Sequence, residues 1–160
     1  MRIGVPKEIK NHEYRVGLVP AAVAELSRRG HEVLIEHDAG VGINLHDQDY
    51  QRAGACIVDS AEAVYTGADM IVKVKEPQPG ERKMLRREQI LFAYLHLAPD
   101  SEQTRDLIAS GASCIAYETV TDLQGRLPLL APMSEVAGRL SIQIGAHCLE
   151  KSAGGSGILL

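Results

Sequence analysis

Two side chains suited to acid–base chemistry follow two neighbouring apolar runs in the middle of the chain. The run that begins at Met70 leads to Lys75, and the run that begins at Gln89 ends on His96. Short apolar runs bounded by turn residues predict buried strands. In open parallel α/β sheets, ligands collect outside the carboxyl ends of the strands. We therefore expect Lys75 and His96 to lie where a substrate binds.

Several side chains, at these two positions and elsewhere in the chain, could bind an anion or exchange a proton. An imidazole with an ordinary pKa near 6.5 can exchange a proton near neutral pH, which fits His96. Arg15 could hold a carboxylate through two parallel hydrogen bonds, and Lys75 could pair with the same carboxylate or polarise a carbonyl. Lys73, on the same strand face, is the rival cation, and Glu76 could orient Lys75 through an ion pair. The structural alternatives are a solvated arginine, a strand lysine and a buried or capping histidine.

Composition limits the class of protein. The chain has 160 residues, of which 45% are hydrophobic, and a net charge of -4. This predicts one domain of ordinary size with its own core. The mixed charges and the few aromatic residues give no basic face for nucleic acid, and no apolar run predicts a membrane span or a signal peptide. Three cysteines without a CxxC pair predict reduced core residues in a cytoplasmic protein.

Apolar runs and turn signals alternate along the first 117 residues. Predicted strands are Arg2–Val5, His31–Glu36, Ala55–Val58, Asp69–Val74, the run ending on His96, and Ala112–Tyr117. Predicted helices are Pro20–Arg29, His46–Ala53, Ala61–Thr66 and Ser101–Ser110, the last with Ser101 as its N-cap and Gly111 as its stop. Strands separated by helices predict an α/β fold with a mostly parallel sheet covered on both faces.

A longer helix is predicted from Met133 to about Lys151. One stripe of it is apolar and a second is small, the latter comprising Gly138, Ser141 and Gly145. Glycine inside a helix is unfavourable by about 1 kcal/mol relative to alanine. The small stripe therefore indicates either a close contact with another helix or subunit, or tolerated glycines in a covering helix.

Several sequence blocks closely resemble the N-terminal part of bacterial alanine dehydrogenases. They are MRIGVPKEIKNHEYRVGLVP at the start, AGVGI at 39–43, IVKVKEPQ at 71–78, YLHLAP at 94–99 and APMSEVAGRLSIQIGAHCLEK at 131–151. The resemblance implies a Rossmann-like substrate domain over residues 1–132 and a long linking helix at 133–151. It also implies that 152–160 is a linker and the start of an NAD-binding domain that is itself absent.

The resemblance further implies an activity and its residues. The expected reaction converts L-alanine, NAD and water to pyruvate, ammonium and NADH, in a homohexamer without a metal. His96 would be the general acid/base and Ser134 would contact the cofactor. The substrate contacts would be Arg15, Lys75, Tyr94 and Met133.

The printed sequence lacks a dinucleotide fingerprint, which needs three glycines between a strand and a helix. Neither the glycines at 40 and 42 nor the Gly/Ser segment at 154–157 fits that pattern. We therefore expect this chain alone to be inactive in hydride transfer. Two alternatives stay open: a non-catalytic domain for small-acid binding or assembly, and a fragment of a transhydrogenase nucleotide-binding subunit. His96 together with Lys75 favours the dehydrogenase, because a transhydrogenase holds no organic substrate.

Overall fold

The computed structural model describes residues 1–159, and its first compact unit, Met1–Tyr117, is built on one parallel sheet. The strands are β1 (Arg2–Val5), β2 (Glu32–Glu36), β3 (Cys56–Val58), β4 (Met70–Val72), β5 (Ile90–Ala93) and β6 (Ser113–Ala116). The helices are α1 (Pro20–Arg28), α2 (Asp47–Arg52), α3 (Ala61–Gly67), α4 (Pro79–Arg82), α5 (Ser101–Ser110) and, in the second unit, α6 (Ala131–Leu149). Short 3-10 turns lie at Val41–Ile43, Tyr117–Thr119 and Lys151–Ala153.

The strand order is β3-β2-β1-β4-β5-β6, and every strand pair is parallel. Ile3 pairs with Val33 on one side and with Met70 on the other. The order reverses between β1 and β4, where a doubly wound sheet opens a crevice at its carboxyl edge. The predicted α/β, Rossmann-like fold is therefore confirmed, with a sheet that is parallel throughout the described residues.

Both faces of the sheet are covered, because alternate side chains point to opposite sides. Ile3 and Val5 of β1 pack with Val23 of α1 in one apolar cluster. On the other face, a Cβ added to Gly4 would lie 2.6 Å from Val64 Cγ1 of α3. The same alternation continues in β4, where Val72 belongs to the first cluster and Ile71 to a second one. The sheet is thus a two-sided core.

Two strands at the centre are shorter than the sequence predicts. β4 ends at Val72, and β5 ends at Ala93, three residues before His96. His96 has a left-handed backbone with φ of 47°, so the prediction that a strand ends on His96 is wrong. Tyr94 and Leu95 are buried although they lie outside the strand, and their apolar side chains prolong the strand pattern in the sequence. The short helix α4 was not predicted, because its four residues include Pro79 and Gly80.

Two helix starts also differ from prediction. Asp100, and not Ser101, is the N-cap of α5, since its Oδ1 accepts a hydrogen bond from the Gln103 N–H at 2.9 Å. In the second unit α6 begins at Ala131, two residues before the predicted Met133. Pro132 lies in its first turn, where a helix tolerates the missing N–H.

The apolar and the small-residue stripes of α6 both lie at the surface. Its apolar residues Val136, Leu140 and Ile144 are exposed, and a Cβ added at Gly138 or Gly145 would meet no atom within 4 Å. Neither α6 nor another helix of residues 1–159 has the length and apolar character needed to cross a membrane.

The cysteines differ in part from expectation. All three are free thiols, as expected of reduced residues, but Cys56 and Cys148 are exposed, so their prediction as core residues is wrong. Only Cys114 is partly buried, and that burial raises the pKa of its thiol.

Candidate active site

Three of the predicted site residues follow three strands that end at the same edge of the sheet. Arg15 lies in the connection between β1 and α1, Lys75 comes three residues after β4, and His96 comes three residues after β5. Because all the strands are parallel and β1, β4 and β5 are neighbours, these connections leave the sheet side by side. The topology therefore supplies the common edge that the sequence predicts.

Arg15 is held by Glu13, a residue that the sequence pattern did not single out. Arg15 Nε donates to Glu13 Oε1 at 2.8 Å and Arg15 Nη2 donates to Oε2 at 2.6 Å, so the pair is bidentate. The hydrogen bond from Arg15 lowers the pKa of Glu13, and the same bond raises the pKa of Arg15. The guanidinium is thereby fixed in direction, as a clamp for a planar acid requires.

Lys75 lies close enough to Glu13 for its positive charge to contribute to the lowered pKa of that carboxyl group. It is only partly buried, and no carboxylate of residues 1–159 forms an ion pair with its ammonium group. Glu76 pairs instead with Lys10, so the hypothesis that Glu76 orients Lys75 is wrong. The ammonium group of Lys75 is therefore available to an incoming anion.

Lys73 occupies a different environment from Lys75. Its side chain is 1% exposed, and its ammonium group contacts Glu81 closely and Glu8 Oε2 at 3.5 Å. Tyr65 Oη donates to Glu81 Oε1 at 3.4 Å, and burial raises the pKa of that phenol. The ammonium group of Lys73 is thus already paired with buried carboxylates, which favours Lys75 as the cation for a substrate.

Aromatic rings pack beside the histidine. The Tyr94 and His96 rings stack with their centroids 6.1 Å apart and an angle of 12° between their planes. Tyr117, just after β6, packs edge-on against Tyr94 at 5.0 Å. Tyr94 also contributes to the raised pKa of Arg15. Its ring therefore contacts the rings of both Tyr117 and the exposed His96.

A cavity of about 130 Å³ opens beside Arg15. Its lining comprises Lys7, Glu8, Glu13, Tyr14, Arg15, Asp38, Ala39, Val41 and Gly42. Gly42 is needed there, because an added Cβ would lie 2.6 Å from the Tyr14 carbonyl oxygen. Lys75 and His96 do not line this cavity, so they share the sheet edge with Arg15 but not this pocket.

Met133 and Ser134 lie in the first turn of α6, in the second unit. Ser134 is not the N-cap, which is Leu130; its hydroxyl instead donates to the Leu130 carbonyl at 3.4 Å.

A cluster around the exposed His37 lies at the same sheet edge and was not predicted from the sequence. His37 Nδ1 lies 2.5 Å from Asp47 Oδ2, and His37 Nε2 lies 3.2 Å from Asp38 Oδ2. The hydrogen bond with Asp47, followed by the charge of Asp38, raises the pKa of His37.

Comparison with known proteins agrees with this fold. The family described as alanine dehydrogenase/PNT, N-terminal domain, matches residues 4–137. Alanine dehydrogenase of Mycolicibacterium smegmatis is 55% identical over 160 residues, and that of Mycobacterium tuberculosis is 54% identical; each alignment covers 100% of this chain and 43% of the relative. The chain therefore spans less than half the length of these relatives.

Two solved structures are also similar. An L-alanine dehydrogenase superposes with a TM-score of 0.89 at 53% identity, over 100% of this chain and 44% of that one. The transhydrogenase from Sinorhizobium meliloti superposes with a TM-score of 0.72 at 28% identity, over 77% of this chain and 36% of that one.

Proposed function

Because the chain belongs to the alanine dehydrogenase/PNT N-terminal domain family, we propose that it forms the substrate-binding part of an L-alanine dehydrogenase. The complete reaction converts L-alanine, NAD and water to pyruvate, ammonium and NADH. The single observation that supports this best is the sheet order, which brings the connections holding Arg15, Lys75 and His96 to one edge.

In this proposal Arg15 and Lys75 bind the substrate carboxylate. Glu13 keeps the guanidinium in one direction while Lys75 adds a second positive charge beside it. A hydrogen bond to a charged group contributes about 1.5–3 kcal/mol, so the two cations together can hold a three-carbon acid.

His96 handles protons at the other end of the substrate. Its imidazole accepts a proton from the water that attacks the imine carbon and returns one to the departing ammonia. Tyr94, stacked on the imidazole, forms one wall of the site and limits the positions that the ring can take. Met133 completes the substrate contacts in the proposal.

The cofactor is NAD in this proposal, and the described residues do not fit a dinucleotide site. The connection after β1, which holds the pyrophosphate in dinucleotide-binding sheets, lacks the three glycines here. Ser134 is the one cofactor contact that we propose within this chain.

The domain boundary at residue 132, the homohexamer and a cytoplasmic location stay predictions. So does the inactivity of the isolated 160-residue chain, for which the missing fingerprint is the reason. An assay with alanine and NAD tests that inactivity, and measurable turnover would contradict it.

Isothermal titration calorimetry of the full chain with pyruvate tests the proposed site. We expect saturable binding that Lys75→Met weakens by about 10-fold or more, because a charged hydrogen bond is lost. His96→Ala should weaken it by only a few-fold, since a hydrogen bond between neutral groups contributes about 0.5–1.5 kcal/mol. Lys83→Met, at an exposed lysine on the loop after α4, is the matched control. Equal losses in the Lys75 and Lys83 variants would contradict the proposal.

The transhydrogenase is the second candidate, favoured by its similar structure. It predicts no specific binding of pyruvate, so the same titration separates the two candidates.

A further inference from the structure

Glu8 makes contacts that its place in the sequence does not suggest. It lies in the connection after β1, and its Oε1 accepts a hydrogen bond from the Val74 N–H at 2.6 Å and a longer one from the Lys75 N–H at 3.4 Å. Its Oε2 lies 3.5 Å from Lys73 Nζ. One carboxylate therefore contacts three consecutive residues of the loop that follows β4.

These contacts take the place of backbone hydrogen bonds where the pairing between β1 and β4 ends. β1 pairs with β4 only through Ile3 with Met70 and Gly4 with Ile71. Beyond that point, the Val74 carbonyl still accepts from the Tyr94 N–H at 3.1 Å on the β5 side. On the β1 side no strand is left, and the Glu8 side chain supplies the acceptor that a strand would have offered.

We propose that Glu8 is a positioning residue that holds the backbone of Val74 and Lys75, and so sets the distance between the Lys75 ammonium and Arg15 for binding a substrate carboxylate. This inference rests on the proposed function, because it concerns the same two cations. Glu8 touches the backbone of one of them, and its negative charge contributes to the raised pKa of the other.

The charge balance of the buried cluster supports a role beyond ion pairing. Lys73 is one cation between two carboxylates, and Glu81 already pairs with it closely. A second buried carboxylate is therefore in excess, and its burial raises the pKa of Glu8 against the opposing effects of Lys73 and the Val74 N–H. Pairing with Lys73 does not require Glu8, whereas the two backbone N–H groups do require an acceptor.

Two conservative variants separate positioning from charge balance. Glu8→Gln keeps an oxygen at the same reach but removes the charge, while Glu8→Asp keeps the charge but is one methylene shorter. Glu81→Gln is the matched control, since Glu81 contacts Lys73 but neither Val74 nor Lys75 through a hydrogen bond. Each variant is titrated with pyruvate, and amide signals of residues 74 and 75 are followed by NMR.

If Glu8 positions Lys75, the Glu8→Asp chain should bind pyruvate about 10-fold more weakly and shift both amide signals. The Glu8→Gln chain should bind within about 3-fold of the wild type, and the Glu81→Gln chain should keep its affinity even where its stability falls. The inference is overturned if Glu8→Gln weakens binding as much as Glu8→Asp, or if neither does. Pyruvate binding in the wild type combined with that result would leave the proposed function standing, while no binding in the wild type would overturn both.

Discussion

The sheet has a carboxyl edge, where its parallel strands end, and an amino edge, where they begin. These two edges are stabilised in opposite ways. At the carboxyl edge the ionisable groups Lys73, Glu8 and Glu81 are withdrawn from water and paired with one another. At the amino edge the buried polar residue is a neutral amide, Gln89, whose Nε2 donates to the Tyr65 and Ala68 carbonyls at 2.9 Å each. The polar groups at one edge of the sheet can therefore be satisfied without a buried charge. The buried charges of Lys73, Glu8 and Glu81 at the carboxyl edge call for a functional reason.

The charged pair at the amino edge supports the same conclusion. Arg2 and Asp69 are both exposed, and their side chains approach only to 4.0 Å. Their stronger link is through the backbone, where the Arg2 N–H donates to Asp69 Oδ2 at 2.7 Å and lowers the pKa of Asp69. Charge at this edge stays in water, where it costs little.

The largest effect should come from removing the buried cation. Lys73→Met leaves Glu8 and Glu81 buried without their partner, and we expect the free energy of unfolding to fall by about 3–5 kcal/mol. Urea denaturation at neutral pH measures this loss. The matched change at the amino edge is Arg2→Met, for which we expect only a small fraction of the effect. Similar losses in both variants would remove the contrast between the edges.

A smaller loss should follow from Gln89→Leu at the amino edge. The substitution leaves the Tyr65 carbonyl without that donor, while the Ala68 carbonyl still accepts from Arg86 Nη2 at 2.6 Å. A buried acceptor without a partner costs about 1–3 kcal/mol of unfolding free energy. Pyruvate affinity should not change, because this residue lies at the edge opposite the candidate site. Weaker pyruvate binding in a folded Gln89→Leu chain would show that the two edges are not independent.

A helix start that follows the carboxyl edge gives the third prediction. Asp100→Ala removes the N-cap acceptor of α5 and should lower the free energy of unfolding by about 1 kcal/mol. Ser101→Ala, one residue later, should have almost no effect, because the Ser101 hydroxyl is not the cap. Denaturation of the two variants in parallel distinguishes the observed cap from the predicted one; a larger loss for Ser101→Ala would restore the prediction.

The sequence predicted the sheet well because the apolar runs are short and well separated by turn residues. β1 was predicted with its observed bounds, Arg2–Val5, and the succession of the six strands along the chain followed from the alternation. The strand ends at the carboxyl edge were predicted less well. Tyr94 and Leu95 stay buried after the strand has ended, so hydrophobicity alone cannot locate that end.

The candidate site was predictable in its residue types but not in its contacts. Lys73 and Lys75 are equivalent in the sequence, and only the fold shows that one is buried against carboxylates from two other segments. The contact between Glu8 and Val74 joins residues 66 positions apart. Such pairings depend on which strands are neighbours, and no local pattern encodes that.

The smallest effect concerns His37, an exposed residue at the carboxyl edge. Its pKa is raised above the ordinary value near 6.5 by Asp47 and then by Asp38. A raised pKa in the folded state means that the ion pairs stabilise the fold fully below about pH 6.5 and lose that contribution as pH rises through the folded-state pKa of His37. The difference in unfolding free energy between the wild type and His37→Gln should therefore be largest near pH 5.5 and vanish at alkaline pH. Urea denaturation across that range measures it, with His12→Gln, at another exposed histidine, as the control. A difference that grows with pH would contradict the assigned sign, and a large difference would show that charge at this edge matters even where it is exposed to water.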